Sequence, residues 1–416
     1  MTGAGVLVVG ASQAGVQLAV SLREHGHDGP ITLVGAEPRP PYQRPPLSKA
    51  YLGGAADPAS LELRDQAFYA NKRIDLLPAE RVTHIRQFPS GCGTALTDQG
   101  RALEFDRVAL TVGARARRLT VPGSDLTGVC YLRDLADAAL LRHHLTPARH
   151  VVVVGGGFIG LEVAAVARSE GRNVTVVEAA PRLMTRAVAP VVSEFYRRAH
   201  ARRGAEVLLG AQVTRIEGEH GRVTGVRLAD GTRLPADLVV AGVGVVPRTE
   251  LAEQLGLLCD GGIVVDEFAR TSDPSIVAAG DCTVLPNPLT GEGRVRLESM
   301  PNAIAQARVA AATLAGKPQP YADVPWFWSD QYDLKLQIAG VADGYDQVVV
   351  RGDPDGEAFS ALYYRGGALL AVNAVNRTAD YLVIRKALAK GTPLPADLAA
   401  RADVPLKDLL VATPAP

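Results

Sequence analysis

The chain has 416 residues, 47% of them hydrophobic, which is long enough for about three domains with packed cores. Lys and Arg together number 44, as do Asp and Glu, so no global field draws the chain onto nucleic acid or an anionic membrane, and a charged partner must be read by a local patch. The four cysteines, Cys92, Cys130, Cys259 and Cys282, show no CxxC or ligand spacing and offer no zinc or iron-sulfur set; they read as buried small hydrophobes in a reducing compartment.

The first element, VLVVG from residue 6, is too short for a signal peptide core and lacks a basic flank, and no later run approaches the roughly 18 apolar residues of a membrane helix. The expected location is cytoplasmic. Residues 6–37 read as a strand, a glycine turn, an amphipathic helix, a second strand and an acid, that is, a βαβ unit with Gly10, Ser12 and Gly15 in the turn and Glu37 at the end. Next comes PRPPYQRPPLSKAYL (38–52), where five prolines crowd around Arg44 and Lys49 and fix the φ angles of a loop. Ser48 is expected to cap a helix that Lys49 enters. A hairpin-like stretch then leads to LEFDRVALTVGARARRL (103–119), a buried strand ending in small residues.

Residues 151–179 repeat the first layout with a full GxGxxG at Gly155, Gly157 and Gly160 and with Glu178 at 23 residues from the first glycine. Such glycines let the turn close, the backbone approach a pyrophosphate and the helix pack on the sheet, with the helix N-terminus facing the phosphates. A carboxylate at Glu178 suits a ribose 2′-hydroxyl and repels a 2′-phosphate, which favours NADH over NADPH, although Arg182 and Arg186 lie nearby. The sequence LPADLVVAGVGVVPRTEL (234–251) repeats the small-ended strand, and TSDPSIVAAGDCTVL (271–285) gives another strand that stops at Gly280-Asp281. Asp281 is suited either to the sugar-alcohol chain of a flavin or to capping a following helix. After RLESMPNAIAQARVAA (296–311) comes the only dense aromatic group, Trp326, Phe327 and Trp328, which reads either as core or as a wall excluding water from a flavin. Strand-like LKLQIAGV, QVVVRGD and ALYYRGGALLAVNAVN precede the helical TADYLVIRKALAKG, and the polar, proline-rich end from Pro393 reads as a surface tail.

The order GxSxAG, PYQRPPLSK, LTVGA, GGGFIGLE, TSDPSIVAAGD, ESMPNA and PWFWSDQYDLKLQIAG resembles the FAD-dependent, NADH-linked ferredoxin reductases that serve bacterial cytochromes P450 and Rieske oxygenases, the putidaredoxin reductase type above all. The resemblance covers essentially the whole chain. It implies an α/β fold of two Rossmann-like, glutathione-reductase-like dinucleotide-binding domains plus an α+β C-terminal domain. The implied boundaries are 1–116 and 246–323 for FAD, 117–245 for NAD and 324–416 for the last domain.

The same resemblance implies the site. FAD would lie against Gly10, Ser12, Ala14, Gly15 and Glu37, with Arg44, Lys49, Val82, Thr111, Gly113 and Arg133 further along, and with Asp281, Met300 and Trp328 toward the ring. Some relatives carry tryptophan where Met300 stands. NADH would lie against Gly155, Gly157, Phe158, Ile159, Gly160, Glu178, Gly242 and Gly244. Lys49, Glu162 and Glu298 are the implied catalytic residues, Lys49 and Glu162 as an ion pair beside the flavin where disulfide-reductase relatives carry a redox cysteine pair. A preorganised ammonium there stabilises the charge that develops as hydride arrives.

With no dithiol to take electrons, the expected acceptor is a [2Fe-2S] ferredoxin, docking near Arg64, Lys72, Arg73 and Arg308, and the expected assembly is a monomer or weak dimer without nucleic acid, membrane or metal. The alternatives are an NADH oxidase or a rubredoxin reductase-type flavoenzyme, and a redox-sensing flavoprotein similar to apoptosis-inducing factor.

Overall fold

The computed structural model describes residues 3–410. Compactness divides the chain into two units, one of residues 1–43, 59–115 and 246–325, the other of 44–58, 116–245 and 326–416.

The first unit is built on a five-stranded sheet in the order Ile276–Ala278, Arg107–Leu110, Val6–Val9, Ile31–Val34, Ile74–Leu77, every pair parallel. Its central strand is an unbroken apolar run because both faces are covered; Val6 to Val9 are all buried. Two helices, Gln13–Glu24 and Met300–Leu314, share the core with these strands. The second offers Ala303, Ala307, Ala310 and Ala311 at helical spacing, a small-residue stripe that lets the two helices lie close. A three-stranded antiparallel sheet, Val82–Gln87, Gly93–Thr97 and Ala102–Phe105, completes the repeat.

The second unit contains the same plan. Its parallel sheet runs Glu206–Leu209, Asn173–Glu178, His150–Val154, Leu238–Ala241, Val129–Cys130, with an antiparallel sheet of Val213–Glu219, Arg222–Leu228 and Arg233–Pro235. Four strands correspond one for one between the units; the fifth is supplied from later in the chain in the first unit and from earlier in the second.

The unit also holds a five-stranded antiparallel sheet in the order Trp326–Gln331, Leu334–Gly340, Ala368–Val375, Ala358–Arg365, Gln347–Asp353, with the helix Thr378–Lys390 on it. The expected surface tail is instead packed as far as residue 410: Leu394, Ala399, Leu406 and Leu409 are buried. The buried guanidinium of Arg351 donates to the carbonyls of Ala399, Arg401 and Val404. Spaced leucines in a polar stretch gave that segment a buried face. The rest of that segment, 411–416, lies outside the described residues.

Candidate active site

In the first unit the turn after Val6–Val9 is shaped by contact. Gly10 has φ +116°, and a Cβ there would meet the Thr111 carbonyl at 2.3 Å; a Cβ on Gly15 would meet the Gly10 carbonyl at 2.0 Å. Thr111 buttresses this turn, its Oγ1 donating to the Gly10 carbonyl at 2.8 Å. Ser12 is the N-cap residue of the helix beginning at Gln13, and Glu37 accepts from the Tyr42 hydroxyl.

A Cβ on Gly280 would lie 3.2 Å from the Ala14 Cβ and 3.8 Å from that of Ala303, so Asp281 stands beside the first turns of both helices. Asp281 leads into the strand Thr283–Pro286 and not into a helix, which removes the helix-capping reading. Gln306 Oε1 accepts from Gly280 N at 2.8 Å, and Ser299 caps the helix that Met300 begins. Buried Asn302 Oδ1 and Gln306 Nε2, on the opening turns of that helix, have no partner among the described residues. Buried polar atoms of this kind call for a ligand or water. Turn, acid and open amides together fit a flavin dinucleotide. Glu298 is engaged by Arg296 at 2.7 Å. Val82 is buried at the start of its strand, and Gly113 accepts from Arg248 N at 2.9 Å.

The corresponding turn in the second unit has Gly155 at φ +106°, where a Cβ would strike the Gly242 carbonyl at 2.5 Å. On Gly160 it would strike the Gly155 carbonyl at 2.3 Å, whereas on Gly157 it would meet nothing closer than 4.0 Å. The open direction is at the N-cap of the helix Phe158–Ser169, where unpaired backbone N–H groups favour an anion. Glu178 is held by Gly156 N at 2.6 Å and Ala180 N at 2.7 Å. Arg182 does not oppose it: its guanidinium is spent on the carbonyls of Val188 and Thr185 and on Ser193 Oγ. Gly244 has Arg186 Nη2 3.8 Å from its Cβ direction, and Ile159 is exposed. These residues fit a second dinucleotide.

Segment 44–58 belongs to this same unit. Pro45–Ser48 form one 3₁₀ turn, and Lys49 follows it at φ −128° and ψ −106°. Ser48 therefore ends a turn and caps no helix, because the two prolines complete the turn before it. Its buried hydroxyl donates instead to Glu162 Oε2. Lys49 Nζ donates to the same oxygen at 2.7 Å, and Ser329 Oγ donates to Oε1, also at 2.7 Å. Glu162 is only 3% exposed, so its carboxylate relies on these three donors in place of water. Arg44 Nη1 donates to the Arg133 carbonyl at 2.7 Å, which ties the loop to the start of the helix Leu135–Leu145.

The aromatic group splits by strand alternation. Phe327 packs on Phe158 at 4.7 Å, while Trp326 and Trp328 stack on the other face at 5.6 Å. All three are half-buried, which is not the burial of core anchors. All four cysteines are free, and burial pushes the thiols of Cys130 and Cys282 up to about 12.

Sequence reasoning missed Ser329, Gln331 and the hydroxyl role of Ser48. The available signal was polar residues at alternate positions in Trp326–Gln331, since Ser329 and Gln331 share the buried face. Among the basic residues expected at a docking surface, Arg64, Lys72, Arg73 and Arg308 are all exposed. Lys72 and Arg73 precede the strand Ile74–Leu77, at the end of the parallel sheet away from Gly10 and Glu37, and Arg73 is paired with Asp28 at 3.2 Å. The parallel register carries them away from the dinucleotide turn.

Twin dinucleotide turns with a lysine-carboxylate pair define a two-dinucleotide flavin oxidoreductase, and the chain belongs to the pyridine nucleotide-disulphide oxidoreductase family, whose model matches residues 4–307. The "Reductase C-terminal" model matches 326–410. Rhodocoxin reductase of Rhodococcus erythropolis is 47% identical over 402 residues, 97% of this chain and 93% of its own. The crystal structure of the ferredoxin reductase for the CYP199A2 system from Rhodopseudomonas palustris superposes with a TM-score of 0.94 at 45% identity, covering 98% of this chain and 100% of that one. The covalent putidaredoxin reductase-putidaredoxin complex gives a TM-score of 0.93 at 42% identity over 97% of both chains. The chain is an FAD-dependent oxidoreductase that uses a nicotinamide dinucleotide. No helix of the described residues is long and apolar enough to cross a membrane.

Proposed function

We propose that the chain is an NADH-dependent ferredoxin reductase, passing electrons from NADH to a [2Fe-2S] ferredoxin that feeds a cytochrome P450 or Rieske oxygenase in the cytoplasm. The observation that carries this reading is the Lys49–Glu162 pair at 2.7 Å in the segment where disulfide-reducing relatives keep their redox cysteines. The relative captured in covalent complex with putidaredoxin supports a small redox protein as partner. Bound FAD supplies the conversion of a two-electron donor into one-electron steps.

The chain's own residues do the rest. In this assignment 1–116 and 246–323 hold FAD, 117–245 hold NADH, and 324–416 form the α+β C-terminal domain. Gly10, Ser12 and Gly15 admit one pyrophosphate and Gly155, Gly157 and Gly160 the other, each at a helix N-terminus. Glu37 would accept from the adenosine ribose of FAD and Asp281 from its ribityl chain, and Glu178 would accept from the NADH ribose. The Lys49 ammonium, held by Glu162, stabilises negative charge as it develops at the flavin edge, and Glu298 and Trp328 line the ring. Arg64 and Arg308 remain the docking candidates for an acidic ferredoxin.

The test is anaerobic stopped-flow reduction by NADH followed by mixing with candidate ferredoxins from the same source. Fast reduction of one of them establishes acceptor class and identity together; NADH oxidation that proceeds only with O2 or a disulfide rejects the reading.

A further inference from the structure

His200, on the helix Pro190–Arg202, is fully buried and belongs to neither dinucleotide turn. Its Nε2 lies 2.9 Å from Gln331 Oε1, Gln331 Nε2 donates to Ser329 Oγ at 3.2 Å, and Ser329 Oγ donates to Glu162 Oε1 at 2.7 Å. On the far side of the ring, the Tyr332 hydroxyl is 3.4 Å from Nδ1. Ser329 and Gln331, like His200, are 0% exposed.

The polarity of this hydrogen-bonded row is set by its members. Gln331 Oε1 only accepts, so Nε2 must carry the ring hydrogen and Nδ1 is left to accept from Tyr332. Every bond then runs one way, from Tyr332 through His200, Gln331 and Ser329 to the carboxylate that holds Lys49. With the other tautomer the Gln331 amide would turn over and present Oε1 to Ser329. The hydroxyl hydrogen of Ser329 would follow it, and Glu162 Oε1 would lose its donor. Burial, opposed by the Gln331 hydrogen bond and assisted by the neighbouring Arg203, pushes His200 down to about 4, so the ring stays neutral near pH 7.

Packing alone does not require such a row, since apolar residues of the same shape would fill the space without polar atoms to satisfy. The far end is also constrained. Tyr332 takes φ +57°, an uncommon value for a bulky residue, and Arg203 clamps it with its guanidinium over the ring at 5.2 Å.

We propose that His200 is a positioning residue for hydride transfer: through Gln331 and Ser329 it orients the Glu162 carboxylate and thereby the Lys49 ammonium. The proposal rests on the reading that Lys49 acts at the flavin.

The test uses FAD-loaded His200→Leu, His200→Gln, Ser329→Ala and Lys49→Ala proteins, with flavin reduction by NADH followed by stopped flow and ring-nitrogen NMR of the wild type and Gln331→Leu. His200→Leu and Ser329→Ala are expected to slow reduction on the order of tenfold to a hundredfold, the scale of a misplaced catalytic group, with the NADH Kd unchanged. His200→Gln keeps an N–H donor near the Nε2 position and restores the rate, and His200→Leu adds nothing to Lys49→Ala. In the NMR spectrum His200 is a pure Nε2–H tautomer that becomes a mixture in Gln331→Leu.

Normal reduction in His200→Leu while Lys49→Ala is slow overturns the positioning role and leaves the Lys49 reading intact. Normal reduction in Lys49→Ala overturns both. If His200→Leu does not retain FAD, Gln331→Leu, which breaks the row between His200 and Ser329, decides by the same readouts. A wild-type Nδ1–H tautomer overturns the polarity on which the proposal stands.

Discussion

Glu178 and His200 show how single side chains gain a function from what surrounds them. Glu178 is aimed by two backbone N–H groups, one of them inside the phosphate turn itself, while Arg182 is turned away into its own loop. Replacing Glu178 by Ala should therefore narrow the preference for NADH over NADPH by about 1–3 kcal/mol, the scale of a hydrogen bond to a charged group. Dissociation constants for both nucleotides check it; an unchanged ratio would mean that another residue discriminates. His200 carries a consequence for stability. Its ordinary value of 6.5 falls to about 4 in the folded chain, so between these limits the unfolded chain binds a proton that the folded one refuses. Its contribution is complete above about pH 6.5 and is lost as the pH falls toward 4, by roughly 3 kcal/mol at most. Denaturant unfolding at pH 7 and at pH 4.5 should show a smaller acid penalty in His200→Gln than in wild type.

At the scale of elements, each glycine turn is a backbone contact that a methyl group would break. Gly160→Ala places a Cβ 2.3 Å from the Gly155 carbonyl, within the second unit only. It should weaken NADH binding by on the order of 2 kcal/mol or more, as strained backbone substitutions do, while the FAD content of the purified protein stays normal. Titration with NADH and the flavin spectrum separate the two effects.

The two βαβ units were legible because glycine spacing, apolar runs and terminal acids are local signals that occurred twice. The Lys49–Glu162 pair was legible only through resemblance, since 113 residues separate its members. Ser48 was misread as a cap because its sequence context fits one, whereas the contact that decides its role comes from a distant helix. The end of the chain was misread because its polar composition hides four spaced apolar anchors and gives no hint of Arg351 beneath them. Removing that guanidinium, as in Arg351→Met, strands three carbonyls and should cost about 1–3 kcal/mol in unfolding free energy. Faster proteolysis beyond residue 391 would accompany it.

At the scale of the whole molecule, the chain repeats one dinucleotide-binding plan and adds an antiparallel sheet whose strand Trp326–Gln331 supplies Ser329 to Glu162. All four cysteines are free, none lies in the segment that carries Lys49, and burial raises the thiols of Cys130 and Cys282. In the proposed reaction the electrons leave for an external acceptor. With formal net charge +0, the chain can attract an acidic partner only through local basic residues, an effect screened over about 10 Å at 0.1 M salt. The central claim is tested most directly by thiol-alkylated holoenzyme reduced anaerobically with one equivalent of NADH and mixed in stopped flow with oxidised [2Fe-2S] ferredoxin from the same source. The account predicts two ferredoxins reduced per NADH, at a rate unaffected by alkylation and falling as salt is added. Reduction abolished by alkylation, or NADH consumed without any reduced ferredoxin, would contradict it.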